Sequence, residues 1–108
     1  MIMKMIQAIV RPEKSIEVQN ALCEKGFLPM TKIHVLGRGK QRGLKSGNAY
    51  YDGIPKDNLY IAATDEDVDR VIDIIMEAAR TGERKPGDGK VYIYPIEKTV
   101  TISSKKVE

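Results

Sequence analysis

Two glycine-rich stretches hold the residues best suited to chemistry. In the first, Gly37-Arg38-Gly39-Lys40-Gln41-Arg42-Gly43, glycine alternates with cations, and Lys45 follows. No acidic residue lies between Lys25 and Tyr51. Glycines let backbone N–H groups approach an anion closely, and the cations supply counter-charge. The spacing matches neither the dinucleotide fingerprint nor the Walker A pattern, so neither fold follows from it. The second stretch, Thr81 to Lys90, ends in Gly87-Asp88-Gly89-Lys90, with Arg84 and Lys85 just upstream. Taken singly, the first is equally a solvated basic loop, and the second a tight Asp-Gly turn. Two such loops in one small chain point to a shared polyanion, such as a nucleoside triphosphate.

Nothing else reads as an active site. Cys23 falls on an expected helix and His34 on an expected strand, so no cysteine–histidine pair forms. With one cysteine and one histidine, disulfide scaffolds, zinc fingers and Cys–His zinc enzymes are excluded. Asp65, Glu66, Asp67 and Asp69 cluster where a helix begins, and there capping and dipole roles come before acid–base ones. At 108 residues the chain has length for one core. Charged residues at 31% and hydrophobic ones at 42% describe a folded, soluble protein with net charge +3. The sequence shows no apolar run of membrane-spanning length and no signal peptide, so the cytoplasm is the expected location.

The elements that must position the two loops follow from periodicity. Met1 to Val10 is apolar on both alternating faces, a strand buried from both sides. Arg11-Pro12 ends it. From Glu13 to Lys25, Val18, Ala21 and Leu22 make a helical stripe, and Gly26 stands where a left-handed C′ residue is wanted. A second strand is expected over Met30–Leu36. Five glycines in the seventeen residues from Gly37 to Gly53 predict a long mobile loop without a stable element. Leu59–Ala63 is a third strand. Asp65 is the expected N-cap of a helix carrying Val68, Val71, Ile72, Ile75 and Ala79 and ending near Thr81-Gly82. Val91–Ile96 is strand four, and Thr99–Ile102 suggests a last edge strand.

Two β-α-β halves in this order predict an α+β ferredoxin-like βαββαβ sandwich, with an antiparallel four-stranded sheet and two helices on one face. Strands one, three and four are apolar on both faces, however. The uncovered face is therefore expected to be buried by further copies of the chain.

Four segments carry a family resemblance: Lys4 to Lys14 (KMIQAIVRPEK), Met30 to Gly43 (MTKIHVLGRGKQRG), Tyr50 to Lys56 (YYDGIPK), and Ala79 to Lys90 with its ARTG and GDGK ends. Through them the chain resembles the PII nitrogen-regulatory signal proteins over essentially its full length. The short loop ending in YYDGIPK looks most like the subgroup encoded in nitrogen-fixation operons. The resemblance implies one PII-like domain over residues 1–108, with an effector loop at about 38–54, a phosphate-binding loop at about 81–90 and a tail over 97–108. It implies a cytoplasmic homotrimer with ATP or ADP in the clefts between subunits, and Mg²⁺ with 2-oxoglutarate as further effectors.

On that resemblance, Ile9, Thr31, Gly37, Gly39, Lys40, Gln41, Gly87, Asp88, Gly89 and Lys90 bind nucleotide. Gln41 also holds Mg²⁺ and 2-oxoglutarate, Lys56 pairs with an oxoacid carboxylate, and Arg42, Lys45, Tyr50 and Tyr51 contact the target. Three departures stand out. Thr101 and Ser103 replace two arginines that reach a neighbour's phosphates, with Lys105 and Lys106, or Arg84 and Lys85, as substitutes. The effector loop is about four residues short, which leaves the family's modified tyrosine unassigned. Tyr60 replaces a common cleft glutamate.

The expectation is a non-enzymatic allosteric regulator that controls nitrogenase by direct contact, with a paralogous PII subunit as a further partner. Regulation of an ammonium channel or of glutamine synthetase is the nearest alternative, followed by a trimer that has lost nucleotide binding. An RNA-binding ferredoxin-like module fits poorly, because it wants stacking aromatics on the central strands. Neither nucleic acid nor membrane insertion is expected.

Overall fold

A computed structural model describes residues 2–37, 45–46, 49–50, 53–82 and 87–108. Four strands form one antiparallel sheet in the order β2-β5-β1-β6: β1 (Met3–Val10), β2 (Thr31–Gly37), β5 (Ile54–Thr64) and β6 (Gly89–Ile96). Helices α1 (Pro12–Glu24) and α2 (Val68–Ala79) lie on one face. This is the expected ferredoxin-like arrangement. Alternation in the strands sends Ile6, Ala8 and Val10 of β1, and Leu59, Ile61 and Ala63 of β5, toward the helices. Val18 and Leu22 of α1 meet them, as do Val68, Val71, Ile75 and Ala79 of α2, spaced three or four residues apart or multiples of that. Each fully buried Ile, Leu or Val contributes about 1.5–3 kcal/mol.

Several boundaries differ from expectation, each for a local reason. Pro12 both ends β1 and opens α1 at its first turn, where its missing N–H costs nothing. Gly26 does adopt φ +91° after the helix. β5 begins at Ile54 rather than Leu59, because pairing with β2 continues through Leu36–Pro55 and Gly37–Ile54. β1 stops opposite Asp57, so β5 has one partner beyond that point and Pro55 withholds no needed donor. The segment expected to lack structure contains a two-residue ladder, β3 (Lys45–Ser46) with β4 (Ala49–Tyr50).

Asp65 is not the cap of α2. Its N–H donates to the Ile2 carbonyl, and Asp67 takes the cap position without a side-chain cap bond. Asp67 instead accepts from the Thr64 hydroxyl at 3.2 Å. The helix closes at Ala79, two residues early, and β6 begins at Gly89, two residues before the expected strand. No edge strand forms over Thr99–Ile102. The tail folds back on itself through a single bridge, Val100–Val107, flanked by mutual bonds of Thr99 and Glu108.

The face opposite the helices carries cross-strand rows. Thr31, Tyr60, Gln7 and Tyr92 stand in one register row; Ile33, Asn58, Ile9 and Lys90 form the next; Val35 and Lys56 follow. Ile33, Tyr92 and Tyr94 are 46%, 47% and 41% exposed, an apolar surface of the kind a further copy would cover.

Candidate functional site

At the end of the sheet where β1 stops and β6 starts, side chains from four parts of the chain converge. Asp88, just before β6, accepts from Arg11 Nε at 3.0 Å, from the Thr81 backbone N–H at 3.0 Å and from the Thr81 hydroxyl at 3.3 Å. Burial alone would raise its pKa, but these donors outweigh it and hold the carboxyl below the usual aspartate range. Lys56 crosses the end of the sheet from β5, and its Nζ donates to the Gly87 carbonyl. Burial and then the like charge of Arg11 lower the Lys56 pKa, against smaller opposing pulls from Glu13 and Asp88.

Glycine is required at the loop's root. Gly87 and Gly89 sit at φ +96° and +127°, and a Cβ on Gly89 would overlap the Ile9 carbonyl oxygen. That close approach sets Lys90 opposite Ile9 in the ladder. Gly37, at the end of β2, lies against the Lys56 stem, where a Cβ would come within 3.1 Å of Lys56 Cγ. Two hollows flank the cluster. One, of about 390 Å³, is lined by Pro12, His34, Leu36, Pro55 and Lys56 among others. The second, of about 270 Å³, lies between the end of α2 and the Asp88–Val91 segment.

The structure thus brings together Ile9, Gly37, Lys56, Gly87, Asp88, Gly89 and Lys90. Thr31 stands apart. Six residues along β2 put it about 20 Å from Gly37 at strand rise, in the row of Tyr60. Lys45 and Tyr50 pair with each other in the β3–β4 ladder. Gly39, Lys40, Gln41, Arg42 and Tyr51 lie outside the described residues, as do Arg84 and Lys85. Thr101 and Ser103 fall in the C-terminal turn, where Thr101 N–H donates to the Lys106 carbonyl and Lys106 Nζ pairs with Glu108 at 3.1 Å.

Sequence reasoning missed Arg11 and Thr81, the two residues that clamp Asp88. Arg11 was legible as the last residue before the proline that opens α1. Only the strand order, which sets the end of β1 beside the start of β6, turns it toward the second loop. Among the described residues, no group of three or more His, Cys, Asp or Glu side chains is placed to hold a metal ion. No described helix is long and apolar enough to cross a membrane.

Fold and site define a small α+β sandwich with a glycine-rooted cluster of Arg11, Lys56 and Asp88 at one end of its sheet. The family model described as "Nitrogen regulatory protein P-II" matches residues 3–106. A "Nitrogen fixation nifHD region GlnB-like protein 1" of Methanothermobacter marburgensis is 49% identical over 104 residues, covering 96% of this chain and 97% of that one. A "Nitrogen fixation nifHD2 region GlnB-like protein 1" of Methanosarcina barkeri is 48% identical over 102 residues, 94% and 95% of the two chains. The "Nitrogen regulatory protein P-II" of Pasteurella multocida is 42% identical over 104 residues, 93% and 91%. The chain belongs to the P-II family of nitrogen regulatory proteins, which are signal proteins and not enzymes. Its likeness to the nifHD-region proteins agrees with the subgroup expected from the short loop.

Proposed function

We propose that this protein is an allosteric regulator of nitrogen fixation, reading ATP or ADP and 2-oxoglutarate and acting by direct contact on a target, with nitrogenase the foremost. The working form is a homotrimer in the cytoplasm, with its open sheet faces turned inward, or a mixed assembly with a paralogous subunit. The observation that carries the reading is the convergence of Arg11 and Lys56 on the Gly87–Gly89 turn, with Lys90 the next residue along the chain, because a phosphate chain needs both cations and close backbone. Gly37 carries the root of the effector loop to the same place. Gly39 and Lys40 complete the phosphate contacts, and Arg42, Lys45, Tyr50 and Tyr51 face the target. Mg²⁺ would arrive on the nucleotide's phosphates with Gln41 as the protein's own donor, which suits a cradle of cations better than a bare metal would.

In this mechanism Lys56 is the hinge between signals. It holds the Gly87 carbonyl, and an oxoacid carboxylate competes for the same ammonium. Exchange of one partner for the other couples the phosphate loop to the effector loop and shifts the loop's population between target-binding and non-binding conformers. Calorimetric titration of MgATP, with and without saturating 2-oxoglutarate, tests this. Mutual tightening is expected, and Lys56→Ala should abolish it while leaving the trimer intact. Absence of any nucleotide binding would sink the sensor and leave a trimer that has lost its ligand, consistent with Thr101 and Ser103 in place of arginines.

A further inference from the structure

An imidazole with a fixed tautomer stands at the surface near the end of β2. His34 and Asp57 are register partners on β2 and β5, on the helix side of the sheet and away from its open face. His34 Nδ1 lies 2.6 Å from Asp57 Oδ1. Asp57 is 3% exposed, and although burial pushes its pKa up, chiefly the bond to His34 holds it below the usual aspartate range. An ionised carboxylate only accepts, so the proton of that bond belongs to Nδ1. The lone pair of the neutral ring is then on Nε2, and the side chain that bears it is 82% exposed. A buried carboxylate behind an exposed imidazole fixes which nitrogen turns outward. It also stabilises the positive charge that the ring acquires when that nitrogen forms a bond. The ring borders the hollow of about 390 Å³, whose wall includes Pro12, Leu36, Pro55 and Lys56. Lys32 Nζ stands 3.8 Å from the other Asp57 oxygen. A small anion therefore has both room and counter-charge beside Nε2.

We propose that His34 is a modification site whose Nε2 accepts a phosphoryl group from a small acyl phosphate. The step balances without loss of a proton. The Nε2 lone pair attacks phosphorus, the P–O bond to the acyl group breaks, and the carboxylate leaves with the bonding pair. The ring gains one positive charge, Nδ1–H stays on Asp57, and the buried carboxylate neutralises it. The product is an Nε2-phosphohistidine at the mouth of the hollow that Lys56 also lines. Gly37, the last residue of β2, follows three positions later, so the modification puts a phosphoryl dianion beside the root of the effector loop. The chain is the acceptor here and catalyses nothing, and the site does not depend on nucleotide binding at the Gly87–Gly89 turn.

The test incubates the full chain with acetyl phosphate and follows the gain of one phosphoryl group by intact mass spectrometry. N-acetylhistidine in a parallel reaction is the reference. His34 should react roughly ten- to a hundredfold faster than the reference. The product should be labile to acid and stable to alkali, and NMR of isotope-labelled protein should place phosphorus on Nε2. His34→Gln, at an exposed position, should take up no phosphoryl group. Asp57→Asn, verified as folded by circular dichroism, should react at about the reference rate, because an amide orients the ring either way and carries no charge. If Asp57→Asn does not fold, the wild-type rate against the reference, with the nitrogen assignment, decides alone. A wild type no faster than the reference would overturn the assignment. So would phosphorus on Nδ1 or on another residue, uptake retained in His34→Gln, or full-rate modification of Asp57→Asn.

Discussion

Two carboxylates, Asp57 and Asp88, are held in the same way for different ends. Both lie below the usual aspartate range although burial pushes each of them up. Asp57, 3% exposed on the helix face of β5, is held first by His34, whose Nδ1 is 2.6 Å away and whose side chain is 82% exposed. Lys32 stands 3.8 Å from its other oxygen. Asp88 is held by Arg11 and by two groups of Thr81. Asp57's main partner is therefore an exposed imidazole on an edge strand, whereas Asp88's is a partly buried guanidinium at the end of a central strand. The first carboxylate ties β5 to β2. The second shapes a turn between a helix and a strand, with the Lys56 contact to Gly87 beside it. The first partner is free to solvent, whereas the second is packed between a loop and the sheet end.

Substitutions should separate the two regions. The largest effect is expected from Gly89→Ala, since its Cβ would meet backbone rather than a side chain able to move. Thermal or urea denaturation should show a loss of about 3 kcal/mol or more, and an unchanged midpoint would mean the β1–β6 approach is looser than described. Asp57→Ala should come next, costing about 2–3 kcal/mol of stability because Lys32 and His34 lose their common acceptor, with nucleotide affinity unaffected. Asp88→Asn should show the reverse balance: about 1 kcal/mol in stability and a clear loss of affinity for MgATP, since Arg11 and Thr81 no longer fix the turn. If both substitutions changed affinity alike, the division into scaffold and site would be broken.

The pH dependence sharpens the same contrast. A carboxylate with a depressed folded-state pKa contributes stability that is present above its unfolded value near 3.8 and is lost as pH falls through the folded value. Acid titration of unfolding should therefore show stability falling below about pH 4, with a shallower fall in Asp57→Asn than in wild type. The smallest effect belongs to His34→Gln. An exposed partner should cost no more than about 1 kcal/mol at neutral pH, read as a small shift in the urea midpoint.

Much of the fold was legible because its cues are local. The 2- and 3.6-residue periods of Met3–Val10 and Val68–Ala79, and Gly26 after α1, need no knowledge of partners. The errors fell where partners decide. Ile54 to Asn58, with a proline and three polar residues, carries no strand pattern, and it becomes strand because β2 lies alongside. Asp65 has the composition of a cap, but its N–H is taken by the Ile2 carbonyl, and the cap falls two residues later, at Asp67. In the site, glycine and charge revealed Gly37 and Gly87–Lys90, whereas Arg11 and Thr81 carry no local signal of clamping Asp88 across 77 and 7 residues.

The sequence by itself determined the βαββαβ order, the uncovered apolar face, the two anion-suited loops and the family, because these rest on periodicity, composition and motif. Only the tertiary structure decided that Lys56 reaches Gly87, that Arg11 holds Asp88, and that Asn58 stands beside Tyr60 on the open face. The physical reason is register. Which side chains meet across a sheet depends on how strands distant in the chain slide into alignment, and a shift of one residue would turn each of them to the opposite face.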